Sequence, residues 1–213
     1  ETVAKYFAGN GFYLKAIAIY RQMQRLDPSQ LSIHLRLAEL NQKQGLVGNA
    51  MSEYRELVSH YEKNEMIADS INILEKMQEL DPESLSIKIK LTEVLANNNR
   101  VDESREHFNA VLAALNEKQD FDRLIKVYKK FLPLFPNDRD LQKGLATTLL
   151  DKGELEKGLE LLQGLLRESP DDLALLQFLA STYRKMDDQN NCRLTYQHIL
   201  KLDPSDLDMR EAL

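Results

Sequence analysis

The chain has 213 residues, 43% hydrophobic and 29% charged, with only 8 Gly and 6 Pro; that is a globular composition, better suited to long helices than to a turn-rich β fold. A net charge of −6 and a pI near 5.4 leave no basic footprint for nucleic acid, and a single cysteine excludes a disulfide framework or a cysteine-based zinc site. No window approaches the ~18 consecutive apolar residues of a membrane span, and the opening ETVAKYFAGN lacks the basic start and apolar core of a signal peptide. Neither direct membrane insertion nor a cofactor is expected, and the lack of a targeting signal favours the cytoplasm while leaving the compartment of a parent protein open.

Read from its start, the chain repeats a stop signal. QRLDPSQLSI at 24–33 returns as QELDPESLSI at 78–87, and more loosely as PLFPNDRDL at 133–141, RESPDDLAL at 167–175 and LKLDPSDLD at 200–208. Pro28, Pro82, Pro136, Pro170 and Pro204 are spaced by 54, 54, 34 and 34 residues. Proline ends a helix because it lacks an amide proton and clashes with the preceding turn. Ser84, Asp138, Asp172 and Asp206 then stand where an oxygen can cap the next helix. The chain divides accordingly into 1–30, then 31–84 and 85–138, which align without a gap, then 139–172, 173–206 and a final 207–213, LDMREAL, that begins a further helix.

The two C-terminal segments carry a more specific pattern. In 139–172, Leu145, Ala146 and Leu149 are followed by Gly153, then Gly158, Leu162, Leu165 and Pro170. In 173–206 the corresponding residues are Leu179, Ala180, Tyr183, Asp187 in place of the turn glycine, then Cys192, Tyr196, Ile199 and Pro204. With this 34-residue period the chain resembles the tetratricopeptide-repeat family. In that family, small residues let two antiparallel helices approach, and large ones fill the groove between hairpins. The resemblance implies an all-α fold, an α-solenoid wound as a right-handed superhelix of helical hairpins, with about eleven helices.

The 54-residue segments fit two overlapping frames. Read as 31–64, the chain places Leu37, Ala38, Gly45, Ala50, Tyr54 and Leu57 on the pattern; read as 51–84 it places Tyr54, Leu57, Tyr61, Ser70, Leu74, Met77 and Pro82. Phe108 and Val111 serve two frames in the same way. One helix, roughly 48–62 and again roughly 102–116, thus closes one hairpin and opens the next. Residues 31–84 and 85–138 are expected to be three-helix units, and 1–30 the last two helices of another whose first helix is missing. Both ends read as cuts through a longer array. An odd number of helices per unit reverses the next hairpin, so such units are either locally irregular or expose a different face.

No catalytic constellation emerges, and the fragment is not expected to be an enzyme. Cys192 falls on a small packing position and reads as a buried structural thiol. No two of His34, His60, His107 and His198 share helical metal-pair spacing. AGNGF at 8–12 lacks the GxxxxGK[ST] of a phosphate loop and reads as a turn. Tyr20, Tyr54, Tyr61, Phe108, Tyr128, Phe131, Tyr183 and Tyr196 read as core, whereas Phe12 and Tyr13 flank a turn.

The surface remains. In relatives of this family the first helices line a concave groove, which transfers here to Asp140, Lys143, Thr147 and Leu150, then Ala174, Gln177, Ser181 and Arg184, with Lys185 beside them. Such a polar wall would hold an extended or helical peptide, favouring an acidic one. The Lys/Asn/Lys/Arg clamp of some relatives is not matched, since Leu35 and Ile89 occupy its fifth position. The resemblance implies a non-catalytic scaffold or adaptor with a protein or peptide partner. A homo-oligomerising array and a docking arm of a larger enzyme or assembly machine are the alternatives.

Overall fold

In the computed structural model, residues 1–135 and 138–204 are described. Among them are twelve α-helices, one short 3-10 turn at Leu132–Leu134 and no strand, close to the expected eleven helices. The helices are α1 (Thr2–Gly9), α2 (Tyr13–Leu26), α3 (Leu31–Lys43), α4 (Val47–Lys63), α5 (Ile67–Leu80) and α6 (Leu85–Asn97). They continue as α7 (Val101–Glu117), α8 (Phe121–Phe131), α9 (Arg139–Lys152), α10 (Leu155–Glu168), α11 (Leu173–Lys185) and α12 (Gln189–Leu202). The chain divides into two compact units, Glu1–Val111 and Leu112–Leu213, with the division inside α7.

Two kinds of turn punctuate the helices. One kind has a left-handed residue: Gly11, Gly45, Glu65, Asn99, Gln119, Gly153 or Asp187, with φ between 50° and 91°. In each of these turns the next amide reaches back to a carbonyl of the preceding helix. Leu46 N donates to Asn41 O (2.8 Å), Met66 N to Tyr61 O (2.8 Å) and Asp188 N to Tyr183 O (2.9 Å). This closure satisfies carbonyls that a helix end leaves free. The other kind is extended and precedes proline: Asp27 and Asp81 have φ of −140°, and Ser169 has φ of −143°. Asp187 therefore keeps the turn that glycine makes one repeat earlier. The helices near 48–62 and 102–116 are α4 and α7, each flanked on both sides by left-handed turns.

The caps follow the sequence in part. Asp138 and Asp172 accept the backbone N–H of Leu141 and Leu175, each at 3.1 Å. Ser84 sits at the N-cap of α6 but makes no cap bond; its hydroxyl lies 3.1 Å from that of Ser86. Asp120 and Asp188 cap α8 and α12 in the same manner and were not expected. Pro136, Asp206 and the 207–213 helix start lie outside the described residues.

In the first unit each consecutive pair of helices from α1 to α6 packs together. Ala4, Ala16, Tyr20, Leu37 and Leu40 form one core across α1–α3. A larger core spans α3–α6, built on Ala50, Tyr54, Leu57, Leu74, Met77 and Leu91. In the second unit Ala146, Leu150, Leu162, Leu165 and Leu175 join α9, α10 and α11. Leu179, Ala180, Tyr183, Cys192, Tyr196 and Ile199 join α11 and α12.

The small positions bring helix backbones together. Cys192 donates from Sγ to the Ala180 carbonyl (3.5 Å), and Ser104 from Oγ to the Thr92 carbonyl (2.8 Å). A Cβ on Gly158 would stand 3.1 Å from the Ala146 carbonyl and 2.5 Å from Leu150 Cδ2. Leu150 is thus buried against Gly158 and belongs to the core, contrary to its expected place on the groove wall. One repeat later Arg184 replaces Leu150 and Cys192 replaces Gly158, so the side chain that vacates the space is matched by one that fills it.

Candidate interaction groove

The groove candidates lie on α9 and α11, held in place by the buried stripe of each helix. On α9, Leu141, Leu145, Ala146 and Leu149 are buried, which leaves Asp140 exposed and Lys143 and Thr147 half-buried. On α11, Leu175, Leu176, Leu179 and Ala180 are buried; Ala174, Gln177, Arg184 and Lys185 are exposed and Ser181 is half-buried.

Asp140 and Lys143 are brought together. With Arg139, Leu165, Asp172 and Leu175 they line a cavity of about 190 Å³ over α10, at the N-terminal ends of α9 and α11. The Lys143 ammonium lies 5.7 Å from the centre of the Phe178 ring, spanning from α9 to α11 as a cation–π contact. Arg139 donates to Ser169 Oγ (2.7 Å) and reaches the Leu165 carbonyl (3.4 Å), tying the start of α9 to the end of α10. Thr147 and Ser181 donate their hydroxyls to their own helix, at the Lys143 and Phe178 carbonyls. They therefore offer a partner only acceptor lone pairs.

Gln177, Ser181, Arg184 and Lys185 do not line that cavity. Arg184 lies toward α12, where it opposes a rise in the Tyr196 pKa caused first by the Cys192 contact and then by burial. Arg139, Asp172 and Phe178 were missed by sequence reasoning. Phe178 follows Gln177 directly, and an aromatic beside a groove position was the available signal.

The remaining chemistry candidates are structural. Cys192 is buried, and among the described residues no cluster of His, Cys, Asp and Glu could hold a metal. His34 is no ordinary surface histidine. Nδ1 lies 2.8 Å from Glu53 Oε2 and Nε2 lies 3.0 Å from the Pro28 carbonyl, while Gln24 donates to the same Glu53 oxygen at 2.9 Å. This network ties α2, α3 and α4 together. Of the aromatics, Tyr20, Tyr54, Phe108, Tyr128, Phe131, Tyr183 and Tyr196 are core, Tyr61 is half-buried and Phe12 is exposed. Among the described residues no helix is long and apolar enough to cross a membrane.

The paired helices, left-handed turns and close small positions can be set beside known proteins. Residues 173–206 match the family model described as tetratricopeptide repeat. Those residues form a tetratricopeptide repeat. That match covers α11 and α12, the hairpin whose turn lacks glycine. No curated protein matches the chain.

Among solved structures, the chain is similar to the C-terminal part of a TPR repeat-containing protein from Cytophaga hutchinsonii. Identity is 13%, coverage 100% of this chain and 98% of that one, and the TM-score 0.44. It is also similar to MamA from Desulfovibrio magneticus (17% identity, 72% and 95% coverage, TM-score 0.42). A thermophilic repeat protein from Thermus thermophilus is 19% identical, with 99% and 93% coverage and a TM-score of 0.37.

Proposed function

We propose that the chain is a non-catalytic interaction scaffold whose α9–α11 groove takes an extended or helical peptide bearing carboxylates. The carrying observation is the position of Lys143, whose ammonium spans to Phe178 beside the Asp140–Asp172 cavity. A cation over an aromatic face at a concave site supports recognition of a peptide that supplies an acidic group and a flat or apolar neighbour. Gln177, Arg184 and Lys185 are exposed beyond it on α11. Asp140, Thr147 and Ser181 supply the acceptors that such a peptide backbone would meet. In the same reading, 31–84 and 85–138 are three-helix repeat units in which α4 and α7, respectively, serve two hairpins, and 139–172 and 173–206 are two-helix units.

The test is a fluorescence-anisotropy titration of an acidic peptide pool against the chain and its Lys143→Glu/Arg184→Glu variant. The variant is expected to bind about ten-fold more weakly, or about 1.4 kcal/mol, with unchanged helicity by circular dichroism. Equal binding by both proteins would place the partner surface elsewhere.

A further inference from the structure

We infer that the second unit carries a small-molecule site for an apolar-tailed carboxylate, of the fatty-acid type, in the cleft between α10 and α12. The inference does not rest on the α9–α11 reading. The cleft holds about 550 Å³ and shares no lining residue with the cavity at Asp140 and Lys143. That volume is within the range of small-molecule sites. Helix α10 supplies Gln163 and Arg167, α11 the floor of Leu176, Leu179 and Tyr183, and α12 the wall at Leu194. Two of these residues exceed what the repeat requires. Leu194 is 60% exposed, where the preceding repeat has an exposed Glu160. Tyr183 stands where that repeat has Leu149, so the packing position is filled there without a hydroxyl.

The polar groups set the chemistry of the ligand. Tyr183 is buried, and its hydroxyl oxygen accepts from Gln163 Nε2 at 3.0 Å. The hydroxyl proton itself has no acceptor among the described residues. A buried donor left without an acceptor is costly, and a ligand oxygen in the cleft relieves that cost. Arg167 lies one helical turn beyond Gln163, on the same face of α10. It is exposed and has no ion-pair partner among the described residues. The other polar groups of the cleft are engaged. Asn191 donates to Asp188 at 2.7 Å, Thr195 donates to the Asn191 carbonyl at 2.7 Å, and His198 lies 3.1 Å from Asp171. No acidic side chain lines the cleft among the described residues. Its unmet capacity is therefore two donors, one of them cationic, beside the apolar surface of Leu166, Leu176, Leu179 and Leu194. A carboxylate supplies oxygens to both donors and matches the planar fork of arginine. An acyl chain attached to it covers the leucines and takes Leu194 out of water.

The experiment titrates octanoate, octanol and octylammonium, three head groups on one tail, into the whole chain labelled with 15N. Octanoate is expected to saturate with a Kd of about 0.1–1 mM and to shift amide resonances of α10, α11 and α12. The neutral and cationic analogues should bind about ten-fold more weakly. Arg167→Gln should weaken octanoate by about ten-fold, and Tyr183→Phe, which keeps the ring in the core, by about three- to ten-fold. Lys143→Glu should leave its binding unchanged. The inference is overturned by octanol binding as tightly as octanoate, by insensitivity to Arg167→Gln or to Tyr183→Phe, or by no saturation at about 10 mM. Shifts confined to α9 overturn it too. If dilution of the unliganded chain moves the same resonances and Leu194→Ser abolishes that change, the cleft is a surface for a second copy and the inference is overturned.

Discussion

Asp187 shows how a single residue can be misjudged from its type. It stands where the preceding repeat has Gly153, and both have positive φ, 57° and 91°. An L-residue there costs about 1–2 kcal/mol, most of which glycine avoids. Asp187→Gly is therefore expected to stabilise the chain by about 0.5–1 kcal/mol, read as a raised urea midpoint with unchanged slope. Glu65 and Gln119 are uninformative by type, whereas Asn99 and Asp187 belong to a class enriched in this region. The position was legible from the periodicity; the conformation was not. Gly158 is the reverse case, because its smallness was legible and its partner was not. Gly158→Ala gains helix propensity but drives Cβ to within 2.5 Å of Leu150 Cδ2. A net loss of about 1–2 kcal/mol is expected, and Leu150→Ala in the same chain should recover part of it in a double-mutant cycle.

At the scale of the helix, the α9–α10 turn is pinned by charge. Lys152 Nζ lies 2.7 Å from both Asp122 Oδ1 of α8 and Glu154 Oε1, and Lys157 Nζ lies 2.6 Å from Glu154 Oε2. Hydrogen bonds from Lys152 and then Lys157 lower the Glu154 pKa from 4.5 to about 2. A depressed carboxyl stabilises the fold in full above pH 4.5, and that contribution is lost as pH falls through about 2. The melting temperature of Glu154→Gln should lie below wild type near neutrality, and the gap should close between about pH 4.5 and 2. Added salt should narrow it at every pH, because these groups are exposed. None of this was legible in the sequence, which does not reveal that Asp122 of α8 lies beside the α9–α10 turn. Helix α4, in contrast, was legible. Tyr54 and Leu57 satisfied two frames at once, and both are fully buried in the core that α4 shares with α3 and α5.

Taken as a whole, the molecule is acidic, with a net charge of −6, yet the proposed α9–α11 groove presents a cation, Lys143. Long-range repulsion of an acidic peptide and its local attraction to Lys143 are then screened together. The association rate of such a peptide is expected to vary by less than about three-fold between low and moderate salt, in contrast with the steep dependence of steered encounters. Stopped-flow measurement across ionic strength checks this; a steep fall with salt would mean that local cations dominate at distance.

The proline-bearing turns have a chemical consequence as well. Asp27–Pro28, Asp81–Pro82 and Asp203–Pro204 are aspartyl–prolyl bonds, and the first two are exposed at both residues. Such amides are unusually labile to mild acid, since the aspartate carboxyl attacks its own carbonyl and the proline nitrogen leaves readily. Dilute acid would thus cleave this chain at its own punctuation. Residues 28–81 would be released as a peptide containing α3, α4 and α5, one period of the longer repeat cut free without a protease.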